Sequence, residues 1–149
     1  MKNVRLQAAS ITDLDESWGQ FDYILSHGVF SWVPTFVQEK IFELSRQLLK
    51  PQGIAYISYN PYPGWHMRET VRHMMRYHAG RFDEPQEQIE QARALLDFLA
   101  SAAESTGPYG QLLSVEIERL TQTSDTYLYH EHLERTNAPL YFHQFVERA

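Results

Sequence analysis

Two short apolar runs, residues 21–26 and 54–59, flank a segment with helical spacing, and this arrangement limits the fold more than any other feature of the chain. The first run, FDYILS, is apolar at both alternating sets of positions, as suits a strand of a parallel sheet that is buried on both faces. The second is rich in aromatic and β-branched residues and reads as another strand. Between them Pro34 suits a first helical turn, and Val37, Ile41, Leu44 and Leu48 recur along one apolar stripe. Lys50 places positive charge near the carbonyl end of that helix, and Pro51 and Gly53 stop it. Strand, helix and strand form a βαβ unit, so the two strands are expected side by side and parallel. Each strand exits into an unusual segment, residues 27–32 and 60–65. Ligands of open parallel sheets lie outside the carboxyl ends of the strands, which makes these two segments the site candidates.

The rest of the chain divides around this unit. Val4, Leu6 and Ala8 alternate with other residues and predict a short N-terminal strand over 4–8, followed by a polar, acidic turn. From Trp65 onward the pattern is helical. Met67, Val71, Met74, Met75 and His78 share one face, while Arg68, Arg72 and Arg76 form a stripe, relieved by Glu69, that reads as a solvated face. Asp83, with Pro85 inside and Gln86 three residues on, reads as the cap of the next helix. Its buried stripe is Ile89, Ala92, Leu96, Leu99 and Ala103, and Ser105-Thr106-Gly107-Pro108 ends it. A further helix over 111–121 turns Leu113, Ile117 and Leu120 inward, and an aromatic-rich tail closes the chain. The boundary between a sheet-bearing part, 1–81, and a helical part, 82–149, falls near Arg81.

At 149 residues the chain has the size of one domain, and its net charge of −6 argues against a nucleic-acid partner. It has no cysteine, which excludes disulfides and thiolate metal sites. The longest apolar stretch, near 24–33, is interrupted by His27 and is too short to span a bilayer, so no membrane partner is expected and the reading is cytoplasmic. His73 and His78 are five apart, off a shared helix face, and His130 and His132 lack a third ligand, so no metal site is expected.

Three stretches carry a resemblance: FDYI at 21–24, HGVFSWVP at 27–34 and SYNPYPGW at 58–65. They are similar to the second half of class I S-adenosylmethionine-dependent methyltransferases, and more narrowly to the bacterial group that carries a methyltransferase regulatory domain, some members of which methylate protein lysines. YHEHLE at 129–134 and NAPLYFHQF at 137–145 resemble the start of that regulatory domain. The implied fold is α/β, a partial Rossmann-like sheet followed by a helical segment. The family's glycine-rich cofactor loop has no counterpart, since the seven glycines are scattered, and the chain reads as a fragment of the family's full length.

The resemblance assigns roles to named positions. Ser10 and Ile11 would line the adenine pocket of S-adenosylmethionine, with His27, Gly28 and Val29 running beneath the cofactor. Tyr59 and Asn60 would align the acceptor, and Tyr62 and Trp65 would offer it aromatic faces, since an enzyme of in-line methyl transfer mainly has to align donor and acceptor. Trp65 serves equally well as core packing. The acceptor implied is a protein side chain such as lysine, with the isolated chain inactive. The rival reading is a non-catalytic interaction module. Either way an open sheet edge is expected to favour self-association.

Overall fold

A computed structural model describes residues 3–102 and 107–149. Ala103, Ser105 and Thr106 of the sequence reading lie outside the described residues. In chain order the elements are β1 (Phe21–Ser26), α1 (Thr35–Leu48), β2 (Leu49–Ile57), α2 (Gly64–Ala79), α3 (Pro85–Ala102), α4 (Pro108–Thr121), α5 (Asp125–Leu128) and α6 (Phe142–Arg148). A single π-helical turn, Tyr129–Leu133, follows α5, and 3-10 turns stand at Ile11–Asp13, Glu16–Trp18 and Phe30–Trp32. The described chain packs as two compact units: one holds the residues up to Pro61 and again from Thr136 on, the other Tyr62–Arg135. The expected boundary near Arg81, drawn where helical spacing takes over, lies inside the second of these units.

In the sheet-bearing unit β1 and β2 pair in parallel, with Ile24 opposite Ala55 and Ser26 opposite Ile57, and α1 is the crossover between them. The expected stripe of α1 is the buried one: Val37, Ile41, Leu44 and Leu48 are all in the core. Gln38 joins them, 1% exposed, because its Nε2 donates to the carbonyls of Phe30 (2.8 Å) and Val33 (3.3 Å) and so satisfies a buried amide. β2 begins five residues earlier than its expected start and ends at Ile57, two residues short. Leu49 already pairs with Phe21, and the register then jumps to Tyr23 opposite Ile54. Pro51 and Gly53 fall in that irregularity, where a missing ladder donor and a missing side chain do least harm. A Cβ on Gly53 would stand 2.8 Å from Leu49 Cδ2 and 3.1 Å from the Phe21 carbonyl oxygen.

Two sequence expectations fail here for one reason. Residues 4–8 form no strand, and Leu6 is 91% exposed. β1 is covered on the α1 side only, leaving Tyr23 and Leu25 exposed at 68% and 73%. Both patterns needed a third strand or a second helical layer over the sheet, and neither exists among the described residues.

The helical unit packs α2, α3 and α4 with α5 and the π turn around Val71, Met75, Ala79, Ala92, Leu96, Leu113, Ile117, Leu120, Leu128 and Leu133. Each fully buried Val, Ile, Leu or Met among them stabilises the fold by about 1.5–3 kcal/mol. The stripes of α3 and α4 are those expected, although the Glu84 carbonyl, not Asp83, accepts the first α3 bond, from Gln88. The face of α2 is rotated from the expected one: Met67 is half exposed, whereas Trp65 and Arg72 are buried. No helix of the described residues is long and apolar enough to cross a membrane.

Candidate functional site

The two strand-end loops meet at the carboxyl end of the sheet. Gly28, at φ +69°, turns the chain out of β1 in a conformation that favours glycine. Its N–H donates to Ser58 Oγ at 2.7 Å, directly after β2. His27 is exposed, with Nδ1 3.3 Å from the Tyr56 hydroxyl and the two rings stacked. Three residues beyond Gly28, buried Ser31 accepts the Asn60 N–H on its Oγ at 2.8 Å. His27 and Asn60 thus leave the same end of the sheet.

Ser10 caps the 3-10 turn Ile11–Asp13, accepting the Thr12 N–H. Ile11, His27 and Val29 line one cleft of about 460 Å³, together with Ile24 of β1 and Ile41 and Leu44 of α1. Three of the five positions assigned to the cofactor therefore share a wall, with Gly28 between two of them and Ser10 next to the third. The lining is mostly apolar, with Ser26 and His27 its polar members, and carries no carboxylate among the described residues. It suits a flat apolar ring. It does not fit the whole of S-adenosylmethionine, whose ribose hydroxyls and charged amino-acid end require polar partners. A larger groove, about 840 Å³, runs along the other side of β2 past Phe42, Tyr56 and Arg148 and contains none of the assigned positions.

Tyr59 and Asn60 are held from the far end of the sequence. The Tyr59 ring stacks on Phe145 of α6, centroids 4.3 Å apart and planes 7° from parallel. Phe145 also meets Phe30 and Phe42 edge-on. Asn60 Nδ2 donates to Asn137 Oδ1 at 2.9 Å, and the Asn60 carbonyl accepts the Leu140 N–H at 3.1 Å. The Ala138 N–H donates to the Ser31 carbonyl at 2.8 Å. These contacts join residues up to 115 positions apart, counting from Phe30 to Phe145, and no local pattern announces them. Ser31, inside the candidate segment 27–32, and Ser58, Asn137 and Phe145 are the residues to which sequence reasoning assigned no role. The only sign of the last two was that they lie in the stretch resembling the regulatory domain.

In the helical unit Tyr62 donates to Glu69 Oε2 at 2.8 Å and stacks on His66. Trp65 is 4% exposed, with the Arg68 guanidinium over its ring, so its packing role is realised. The arginine stripe is not the solvated face expected. Arg72 is 2% exposed, and its guanidinium donates to the Glu131 carbonyl at 3.0 Å and to the Glu134 carbonyl. Burial pushes its pKa down to about 10, helped by Arg76 and opposed by Glu69, Glu131 and Glu134, so it stays charged at neutral pH. Beside it His132 is fully buried, with Nε2 3.3 Å from Arg119 Nη2 and Nδ1 without a partner. Burial and then Arg119, Arg72 and Arg68 push its pKa down to about 3. A neutral imidazole follows, with Nε2 as acceptor. No group of three His, Cys, Asp or Glu among the described residues is placed to hold a metal ion.

Known proteins are similar to this chain. Residues 124–149 match the family model described as a predicted methyltransferase regulatory domain. An uncharacterized protein of Rickettsia prowazekii is 49% identical over the whole chain, which spans 60% of that relative's length. The structure of PKMT2 from Rickettsia typhi superposes with a TM-score of 0.83 at 48% identity, covering 99% of this chain and 28% of PKMT2. PKMT2 in complex with AdoHcy gives a TM-score of 0.84 at 49% identity over the same shares. The chain is therefore related, along nearly its full length, to a segment of proteins of the PKMT2 kind, and its α/β architecture is part of a methyltransferase fold.

Proposed function

We propose that this chain forms the acceptor side of an S-adenosylmethionine-dependent methyltransferase acting on a protein side chain, most simply lysine. The observation that carries the reading is the likeness to PKMT2 at 48–49% identity, in one case with AdoHcy bound, the compound left when S-adenosylmethionine has given up its methyl group. S-adenosylmethionine would supply the methyl group. The chain's own residues supply alignment. A lysine attacks as the neutral amine, whose N–H groups donate while its lone pair faces the methyl carbon. With Nδ2 taken by Asn137, the Asn60 amide offers Oδ1 as the acceptor for one of those N–H groups. The Tyr59 ring, fixed by Phe145, walls the same loop. The apolar cleft at Ile11, His27 and Val29 takes the cofactor's flat ring, and the remaining contacts come from sequence that this chain does not contain. Turnover by the chain alone is not expected, and a cytoplasmic location belongs to the same reading.

A chimera tests it: the chain replaces the matching 28% of Rickettsia typhi PKMT2. Label from S-adenosylmethionine should pass to a lysine-containing protein with the chimera and not with the chain alone. A folded chimera that binds AdoHcy yet labels no protein would overturn the reading and favour the non-catalytic interaction module.

A further inference from the structure

The contacts that hold the side chains of Tyr59 and Asn60 come from one short stretch, residues 136–149, and this stretch lies inside the match to the regulatory-domain family. It attaches at four points. Ala138 is bonded to Ser31, and Leu140 to Asn60, where Pro61 and Leu140 form an isolated parallel bridge. Asn137 holds the Asn60 amide, and Phe145 stacks on Tyr59. Beyond Phe145, Arg148 donates to Glu39 Oε1 at 2.6 Å through Nη2, and its guanidinium lies over the rings of Phe30 and Phe42. The stretch is thus bolted to both strand-end loops and to α1.

The geometry points to residues 136–149 as a positioning clamp, through which the regulatory region sets the side chains of Asn60 and Tyr59 from within the sheet-bearing unit. Asn137 is the positioning residue for Asn60, and Phe145 for Tyr59. This rests on the acceptor role proposed above for Asn60. A primary amide rotates freely about its last bond unless one end is held, and an alignment device must be fixed before its substrate arrives. The bond from Asn60 Nδ2 to Asn137 Oδ1 fixes it, and the ladder-like bond between Leu140 and Asn60 holds the backbone beneath. Asn137 Nδ2 is itself buried without a partner, so Asn137 contributes to this network as an acceptor. Anything that withdraws the stretch releases both side chains together, without touching the cofactor cleft.

Nuclear magnetic resonance of the 149-residue chain tests the clamp without requiring turnover. In Asn137→Ala the side-chain NH₂ protons of Asn60 should exchange with water about tenfold faster, the loss of one hydrogen bond. In Asn137→Asp, which keeps an acceptor oxygen, the slow exchange should persist. Unchanged Asn60 protons in Asn137→Ala, or equal acceleration in both variants, would overturn the proposal. Should Asn137→Ala fail to fold, Phe145→Leu keeps the apolar bulk and reads the second contact. Tyr59 ring protons should then lose their ring-current shift, and an unmoved Tyr59 spectrum would refute the clamp. A clamp present in a chimera that transfers no methyl group would leave this inference standing and remove only the functional reading.

Discussion

Replacing Arg72 by Ala removes a buried cation that ties α2 to the chain 59 and 62 residues later. Its guanidinium spans two carbonyls, those of Glu131 and Glu134, at the end of the π turn. Hydrogen bonds to a charged group contribute about 1.5–3 kcal/mol each, and the truncation also leaves two carbonyls with a lost donor. Together these give a cost of about 3–5 kcal/mol, a large part of the stability of a domain this size. Arg72→Lys should recover about half, since an ammonium on a flexible stem cannot fork to both oxygens. Lys50→Ala is the control. Its pair with Asp22, 2.9 Å apart, is exposed and should matter by less than about 1 kcal/mol. Urea unfolding followed by far-ultraviolet circular dichroism reads all three. An Arg72→Ala midpoint indistinguishable from the Lys50→Ala midpoint would refute the reasoning.

Other outcomes follow from the same structure. His132 has a pKa of about 3 in the fold against 6.5 as the ordinary value, so below pH 6.5 the unfolded chain takes up a proton that the fold refuses. Stability should therefore fall from pH 6.5 toward pH 3, with a slope approaching about 1.4 kcal/mol per pH unit. His132→Gln, which keeps an acceptor for Arg119, should flatten that slope, and parallel pH profiles would exclude His132 as its source. Exposed Leu25 and Tyr23 on the uncovered face of β1 should make the chain associate as its concentration rises. Sedimentation equilibrium should find Leu25→Lys monomeric where the parent dimerises, and equal masses would exclude this face. Calorimetry of the chain with S-adenosylmethionine should give no micromolar binding, because the cleft carries no carboxylate for the ribose hydroxyls among the described residues. One micromolar site per chain would show a self-sufficient pocket.

What could be read from residues alone was whatever depends on near neighbours. The α1 stripe, the parallel pair and the inward faces of α3 and α4 follow from spacing, because each is decided within a few turns. The expected strand over 4–8 shows the limit. Alternation around Leu6 is real, but a strand exists only by its ladder, and no partner is there to supply one. Arg72 shows another. As one of three arginines four apart it reads as solvated, and only carbonyls brought in from the π turn make its burial favourable. Tyr59 and Asn60 are singled out by their place at a strand end. Asn137 and Phe145, which hold them, are not, since their contact with the loop is made by the fold.

Asn60→Ala in the PKMT2 chimera, with turnover and cofactor affinity measured separately, tests the central claim most directly. An acceptor-aligning amide acts in the transition state, so kcat for protein methylation should fall by about tenfold or more while the Kd for AdoHcy stays within about twofold. Weakened AdoHcy binding with kcat unchanged would place Asn60 on the cofactor side and contradict the account.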